Sequence, residues 1–299
     1  MVGGRLSGYR WREVLDGYLA IAPWLVGLLG LVLGPMLGSL VLTFTRWDLF
    51  SPPSWVGLAN WHRLLQDPLV WTSLWNTAYY TFLGVPLTMA VALTGALLLH
   101  APLRLQALFR TAFYLPSVMP AVANAVLWFW IFNPEVGLAN SLLRMLGLPG
   151  LQWIFDPVTS KPSLILMNLW TTGNTMIIFL AGLQGIPQSL YEAALVDGAG
   201  WWQRFRHVTV PMLSPVILFN LVMGIIGSFQ VFTNAYLLTD GGPAHSTLFT
   251  VLYIYQLGFE RFDMGYASTV AWLLFVVILA FTLLQLRLSN QWVYYEGLR

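Results

Sequence analysis

An all-α integral membrane fold with six transmembrane helices is what this sequence predicts, and three observations carry that prediction. First, 58% of its 299 residues are hydrophobic and only 9% are charged, whereas a soluble domain carries about 25% charged residues. So little charge cannot cover a water-exposed surface, which makes lipid the expected solvent. Second, six stretches free of Asp, Glu, Lys and Arg lie within 17–45, 68–103, 111–134, 162–191, 208–239 and 264–286. Each reaches the roughly 20 residues that a helix needs to cross a hydrocarbon layer about 30 Å thick. Third, these runs do not alternate polar with apolar, as barrel strands would. Helices are then the open-chain solution, because lipid cannot satisfy backbone hydrogen bonds.

The N-terminal segment 1–16 carries Arg5, Arg10 and Arg12 ahead of the first apolar run. That run is too long for a signal-peptide core and lacks a small-residue cleavage pattern, so it is read as an uncleaved first span. Basic residues orient the chain. With the N-terminus cytoplasmic, nine fall inside: Arg5, Arg10, Arg12, Arg104, Arg110, Arg204, Arg206, Arg287 and Arg299. Five fall outside: Arg46, Arg63, Arg144, Lys161 and Arg261. Trp11, Tyr18, Trp47, Trp292, Tyr294 and Tyr295 flank spans where interfacial aromatics belong. The expected layout is a cytoplasmic segment 1–16, a six-helix domain 17–288 and a cytoplasmic tail 289–299.

Within the first span, Gly30, Gly34 and Gly38 recur every fourth residue and offer a close-packing face to another helix. Pro23, Pro35, Pro86, Pro116 and Pro120 predict kinked spans rather than straight rods. The outside stretch 133–161 reads as a short amphipathic helix over 138–146 followed by turns.

Composition excludes several chemistries. There are no cysteines, which removes disulfides, thiol catalysis and thiolate metal sites. His62, His100, His207 and His245 are too far apart in sequence for a local metal motif. A net charge of +2 without a basic run gives no sign of nucleic-acid binding. No Ser–His arrangement or paired intramembrane carboxylates suggest an enzyme, and no Gly-rich lysine loop suggests a nucleotide site. No catalytic, metal or cofactor residues are therefore assigned to the chain.

The inside stretch 187–211 carries the strongest signal. Pro187 suits a first helical turn, and Ser189 with Glu192 fits a capping box. Tyr191, Ala194 and Leu195 form a short apolar face, Asp197–Gly198 breaks the helix, and a second amphipathic piece covers 201–208. The spacing Glu192-Ala193-Ala194, Gly198, Val208, Val210, Pro211 resembles the EAA loop of binding-protein-dependent ATP-binding-cassette (ABC) importers. Val208 and Val210 stand where Ile and Leu are commoner. In that family the loop docks into a cleft of the ATPase subunit and passes its closure to the spans. The resemblance therefore implies that Glu192, Ala193, Ala194, Asp197 and Gly198 are the coupling residues.

Other segments also resemble permeases of the carbohydrate group, in particular the first permease of maltose-type or glycerol-phosphate-type systems. They are Trp55 to Trp61 (the WxGLxNY pattern), Asn76-Thr77, Leu115-Pro116, Gly137 to Asn140, Trp153 to Pro157, Leu238 to Pro243 with Ser246-Thr247, and Gly265 to Ser268. The resemblance implies a type I permease fold in a bacterial or archaeal plasma membrane. It also implies a second permease, two ATPases holding ATP and Mg, and an extracellular solute-binding protein as partners. A di- or oligosaccharide is the implied cargo, with a glycerol-phosphate-like or other polyol solute as the alternative.

Candidate sugar contacts lie in two spans. Asn168, Thr171, Thr172 and Thr175 follow i, i+3, i+4, i+7 and would form one polar stripe on a helix, with Trp170 and Asn174 near it. Amides and a flat aromatic suit sugar hydroxyls and ring faces, although threonines also join neighbouring helices. In the fifth span, Gly224, Ser228 and Val231 form one small face, and Gln230 with Asn234 another. In maltose-type relatives an asparagine at the Asn168 position contacts sugar, and asparagines stand at the Ser228 and Val231 positions. Ser228 keeps a hydroxyl; Val231 cannot hydrogen-bond. Gln230 is either the replacement or a helix-to-helix contact. Asn124 reads as structural, and His207, His245 and Asp240 as surface groups. A secondary transporter is the competing reading, but no span interior holds the ionisable residue that proton coupling usually needs.

Overall fold

The computed structural model describes residues 5–101 and 104–294. The expectations placed on Leu103, Tyr295, Arg299 and the side chains of Arg5, Arg10 and Arg12 lie outside the described residues. The chain forms two compact units, Met1–Gln66 with Leu257–Trp272, and Asp67–Gln256 with Leu273–Arg299.

In the first unit, α1 (Arg5–Gly27) runs through a π-helical turn (Leu28–Leu33) into α2 (Gly34–Leu42). The wider turn suits Pro35, whose ring would crowd a carbonyl one regular turn back. Pro23 and Pro35 thus leave one candidate span, Glu13–Leu42, none of whose most apolar window is buried within the chain. No described residue comes within 4 Å of a Cβ placed on Gly30 or Gly38. Among the described residues, the predicted close-packing face therefore meets no other helix at Gly30 or Gly38.

A two-stranded ribbon follows, with β1 (Thr45–Arg46) antiparallel to β2 (Ser54–Trp55). Asp48 closes its loop by accepting from the Ser51 hydroxyl (2.7 Å) and the Ser51 and Phe50 N–H groups. Those bonds, the Ser51 hydroxyl first, hold its carboxyl below the usual carboxylate range. The short helix α3 (Ala59–Gln66) is tied in by Asn60, whose amide donates to the carbonyls of Thr43 (3.0 Å) and Thr45 (2.8 Å). Arg63 on α3 pairs with Asp263 at 2.6 Å and lies 3.8 Å above the Tyr266 ring. The WxGLxNY-like segment is therefore a structural clasp, with Trp55 stacked on Phe44 at 5.6 Å.

The second unit is organised on α4 (Pro68–His100), which opens with an Asp67 cap and continues as one helix through Pro86. Against it pack α8 (Ser160–Trp170), α9 (Gly173–Gln184) and α12 (Val210–Phe229). Ala92, Ala96 and Leu99 of α4 meet Met176, Phe179, Leu180 and Leu183 of α9 and Leu213 of α12. Small residues on α4 let large ones on α9 come close, which maximises contact where lipid offers no hydrophobic drive. Val85, Ile225, Phe229 and Leu274 form a further core.

Two expected spans are not single rods. The third consists of α5 (Gln106–Val118) and α6 (Ala121–Ile131), which meet at 98°. Pro120 forces Met119 into an extended conformation, with ψ 136°, and ends the helix. The fourth consists of α8 and α9, meeting at 50°. The fifth span is also shorter than 208–239: its helix stops at Phe229, and α13 (Thr233–Leu238) is separate. α7 (Leu138–Met145) matches the amphipathic helix expected outside.

Two asparagines clamp the loops of this unit. Asn76 donates to the carbonyls of His245 and Leu248 and accepts from Lys161 Nζ at 2.8 Å. Thr77 accepts from the Thr250 N–H at 2.9 Å, at the start of α14 (Thr250–Tyr255). Asn140 donates to Pro134 and Leu151 and accepts from the Leu151 N–H and Trp153 Nε1. Asn124 is buried, but its carbonyl oxygen has no partner among the described residues. α15 (Met264–Trp292) is the last helix. Asn76→Leu orphans two carbonyls and an ammonium, so it should cost about 3 kcal/mol. That should appear as aggregation in detergent beginning several degrees below wild type, while an exposed Thr72→Val control should not shift.

Candidate functional site

The site begins where helical geometry is interrupted. α8 stops because the Thr171 N–H and hydroxyl both fold back on the Asn168 carbonyl, at 3.1 and 3.0 Å. α9 restarts at Gly173, where a Cβ would stand 2.7 Å from the Phe113 carbonyl oxygen, so only glycine lets α9 approach α5 this closely. In the fifth span, Val231 bonds back to the Ser228 carbonyl at 3.3 Å, and Phe232 (φ −138°, ψ −64°) leaves the helix.

Both interruptions border one cavity of about 320 Å³ among α4, α8, α9, α12 and α13, at the small end of the range for ligand sites. Six of the predicted contacts line it: Asn168, Thr171, Thr175, Gly224, Ser228 and Val231. Trp170, Thr172 and Gln230 do not. The expected stripe assumed one continuous helix, and the 50° break turns Thr172 away into the packed interior, 6% exposed. Trp170 instead meets Trp128 edge-on, with centroids 6.3 Å apart. Gln230 sits on the exposed side of the α12 terminus.

Asn174 and Asn234, placed beside the two predicted faces, line it as well, and the structure adds Asn220, together with Tyr80, Val85, Thr88, Met89, Met223 and Gly227. Asn220 was legible in principle, as a polar residue four before Gly224 and eight before Ser228 on an otherwise apolar helix. Asn174 comes into the lining only because the break reorients α9. Asn168 bridges two helices, its amide 3.3 Å from the Thr88 hydroxyl. The lining thus combines amides and hydroxyls with Met, Val and Tyr surfaces, and no lining residue is Asp, Glu, Lys, Arg or His. Such a wall can hydrogen-bond a neutral polyhydroxylated molecule and offers nothing for proton transfer. Among the described residues no group of three His, Asp or Glu is placed to hold a metal.

The loop 187–211 joins the cavity helices directly. Pro187 separates α9 from α10 (Gln188–Val196) and is its N-cap residue; Ser189 lies inside the helix and does not cap. α10 ends with Ala199 N–H bonded to the Ala194 carbonyl (2.9 Å) and Gly198 N–H bonded to the Leu195 carbonyl (3.0 Å). Gly198 sits at φ +75°. This is the Schellman arrangement, whose left-handed position favours glycine. Glu192, Ala193, Asp197 and Gly198 are exposed and Ala194 is half-buried. The Tyr191 hydroxyl lies 3.0 Å from the Thr209 hydroxyl, anchoring α10 to the base of the fifth span.

The expected second amphipathic piece is not separate. α11 (Trp201–Arg204) continues through a π turn (Phe205–Thr209) into α12, giving one span, Trp201–Phe229. As at Pro35, the widened turn precedes a proline, Pro211. Gln203 accepts from the Gly200 N–H at 2.7 Å and fixes the start of this helix.

A bundle with a polar cavity at broken spans, and an exposed helix fused to two of its walls, defines a membrane transport subunit. Residues 84–293 match the family model of the binding-protein-dependent transport system inner membrane component, and the chain belongs to that family. It is 42% identical to the probable ABC transporter permease protein YesP of Bacillus subtilis, over 96% of this chain and 94% of that protein. It is 34% identical to the trehalose/maltose transport system permease protein MalF of Thermococcus litoralis, over 95% and 97% of the two chains. The fold is shared with a chain in a crystal structure of a bacterial alginate ABC transporter bound to its alginate-loaded periplasmic protein. The TM-score there is 0.82 at 24% identity, covering 94% of this chain and 97% of that one.

Replacing Asn168 by Leu removes an amide from the cavity wall and leaves the coupling loop untouched. Uptake should fall about three- to tenfold, while the complex still purifies intact. Unchanged uptake kinetics would remove Asn168 from the site.

Proposed function

We propose that this chain forms, with a second permease, the translocation pathway of an ABC importer for a saccharide, a di- or oligosaccharide rather than a glycerol-phosphate-like or polyol solute. The uncharged cavity of amides and hydroxyls at two broken spans carries this reading. The trehalose/maltose permease of Thermococcus litoralis, matched end to end, supports it. The absence of ionisable residues in the lining weighs against a proton-driven secondary transporter.

In this reading two partner ATPases bind ATP and Mg, and α10 docks against one of them through Glu192, Ala193, Ala194, Asp197 and Gly198. Exposed Glu192 offers a charge to a basic partner, and the alanines present a flat side that can enter a groove. A solute-binding protein delivers cargo from outside. The chain lies in a bacterial or archaeal plasma membrane with segment 1–16, loop 187–211 and tail 289–299 on the cytoplasmic side. Asn168, Thr171, Thr175, Gly224, Ser228 and Val231 face the cargo, and Trp170, Thr172 and Gln230 are left out of the site.

Reconstituted with its co-encoded partners, the complex should move saccharide only with ATP and binding protein. Glu192→Lys should reduce transport at least tenfold with normal membrane insertion. Gly198→Pro should do the same, because proline cannot adopt φ +75° and removes the N–H bonded to Leu195. Normal uptake by both variants at normal expression would refute the coupling role.

A further inference from the structure

Of the cavity's lining residues, Asn220 is the one with a buried polar side-chain atom that has no hydrogen-bond partner among the described residues. It is 6% exposed, and the orphan is its amide nitrogen. A buried donor left unpaired is costly, so native structures rarely keep one without a partner or a use. Asn220 stands one helical turn before Gly224 and two before Ser228, so it extends their face about 6 and 12 Å along α12. That direction runs toward Trp201, the end of the helix at the coupling loop. No charged group lines the cavity to claim the amide.

We propose that Asn220 is a saccharide-binding residue at the coupling-loop end of the cavity, its buried amide turning out of the wall to donate to a hydroxyl or ring oxygen of the cargo. This rests on the saccharide-importer reading above. Ser228 and Val231 lie nearer the other end of the cavity, so a sugar leaving them toward the coupling loop meets Asn220 next. Val231 cannot hydrogen-bond, and Asn220 supplies the donor from deeper in the same helix face.

The test uses the full complex in proteoliposomes with its co-encoded binding protein and a panel of radiolabelled maltose, trehalose, lactose and raffinose. Sugar moved per ATP hydrolysed is the readout, because a purely structural defect lowers transport and hydrolysis together. Asn220→Leu should lower that ratio about three- to tenfold, with binding-protein-stimulated ATP hydrolysis within about twofold of wild type. Asn220→Ala should read the same and decides the matter if the leucine variant fails to assemble. A wild-type complex that transports a panel sugar, with variants that keep its ratio, overturns the assignment: the amide then holds only water. The sugar carried by the purified binding protein joins the panel, and a wild-type complex that moves none of these sugars refutes the saccharide reading itself, and the role of Asn220 falls with it.

Discussion

At membrane depth a backbone N–H or C=O has no bulk water to bond, so a spanning chain can leave helical geometry only where protein or a wet cavity receives the freed groups. This chain leaves it at Thr171–Thr172 and again at Gln230–Phe232, and residues beside both departures line the same cavity. Each unsatisfied group in lipid costs several kcal/mol. The breaks are therefore tolerable only while the cavity between them stays polar. Asparagines, threonines and a serine in its wall meet that condition without introducing charge, which would be far more expensive to bury.

The same two helices carry the loop proposed to couple the chain to its ATPase. α9 reaches α10 across Pro187, and α12 grows without a break from α11, so a load on α10 acts on both sides of the cavity. The load needs a rigid handle. The Schellman end at Gly198, the Gln203 bond to Gly200 and the Tyr191–Thr209 contact supply the stiffness. The exposed surface of Glu192 and Ala193 is the contact in the proposed coupling.

Much of this was legible in the sequence. Charge-free runs located the four long apolar helices and the two bent pairs, and fixed spacing located the loop around Glu192 and Gly198. What failed did so for one physical reason. Helical periodicity presumes an unbroken helix, and the Asn168–Thr175 stripe straddles a break made by a threonine bonding back to the Asn168 carbonyl. Thr172 and Trp170 were misplaced for that reason, and Asn174 was set beside the stripe rather than in it. Gln230 fell just past a helix end that hydropathy could not mark. The segments around Asn60, Asn76 and Asn140 were recognisable only by resemblance, because their role is to bond loop carbonyls distant in sequence.

The absence of cysteine allows a direct measurement of the cavity. Single cysteines placed at Ser228 and, as a control, at Leu279, an exposed apolar residue of α15, can be treated with a membrane-impermeant thiosulfonate in the assembled importer. A water-filled sugar site predicts fast labelling at Ser228→Cys, slowed by transported saccharide with binding protein and ATP, and little labelling at Leu279→Cys. Equal labelling at the two positions, indifferent to saccharide, would contradict it.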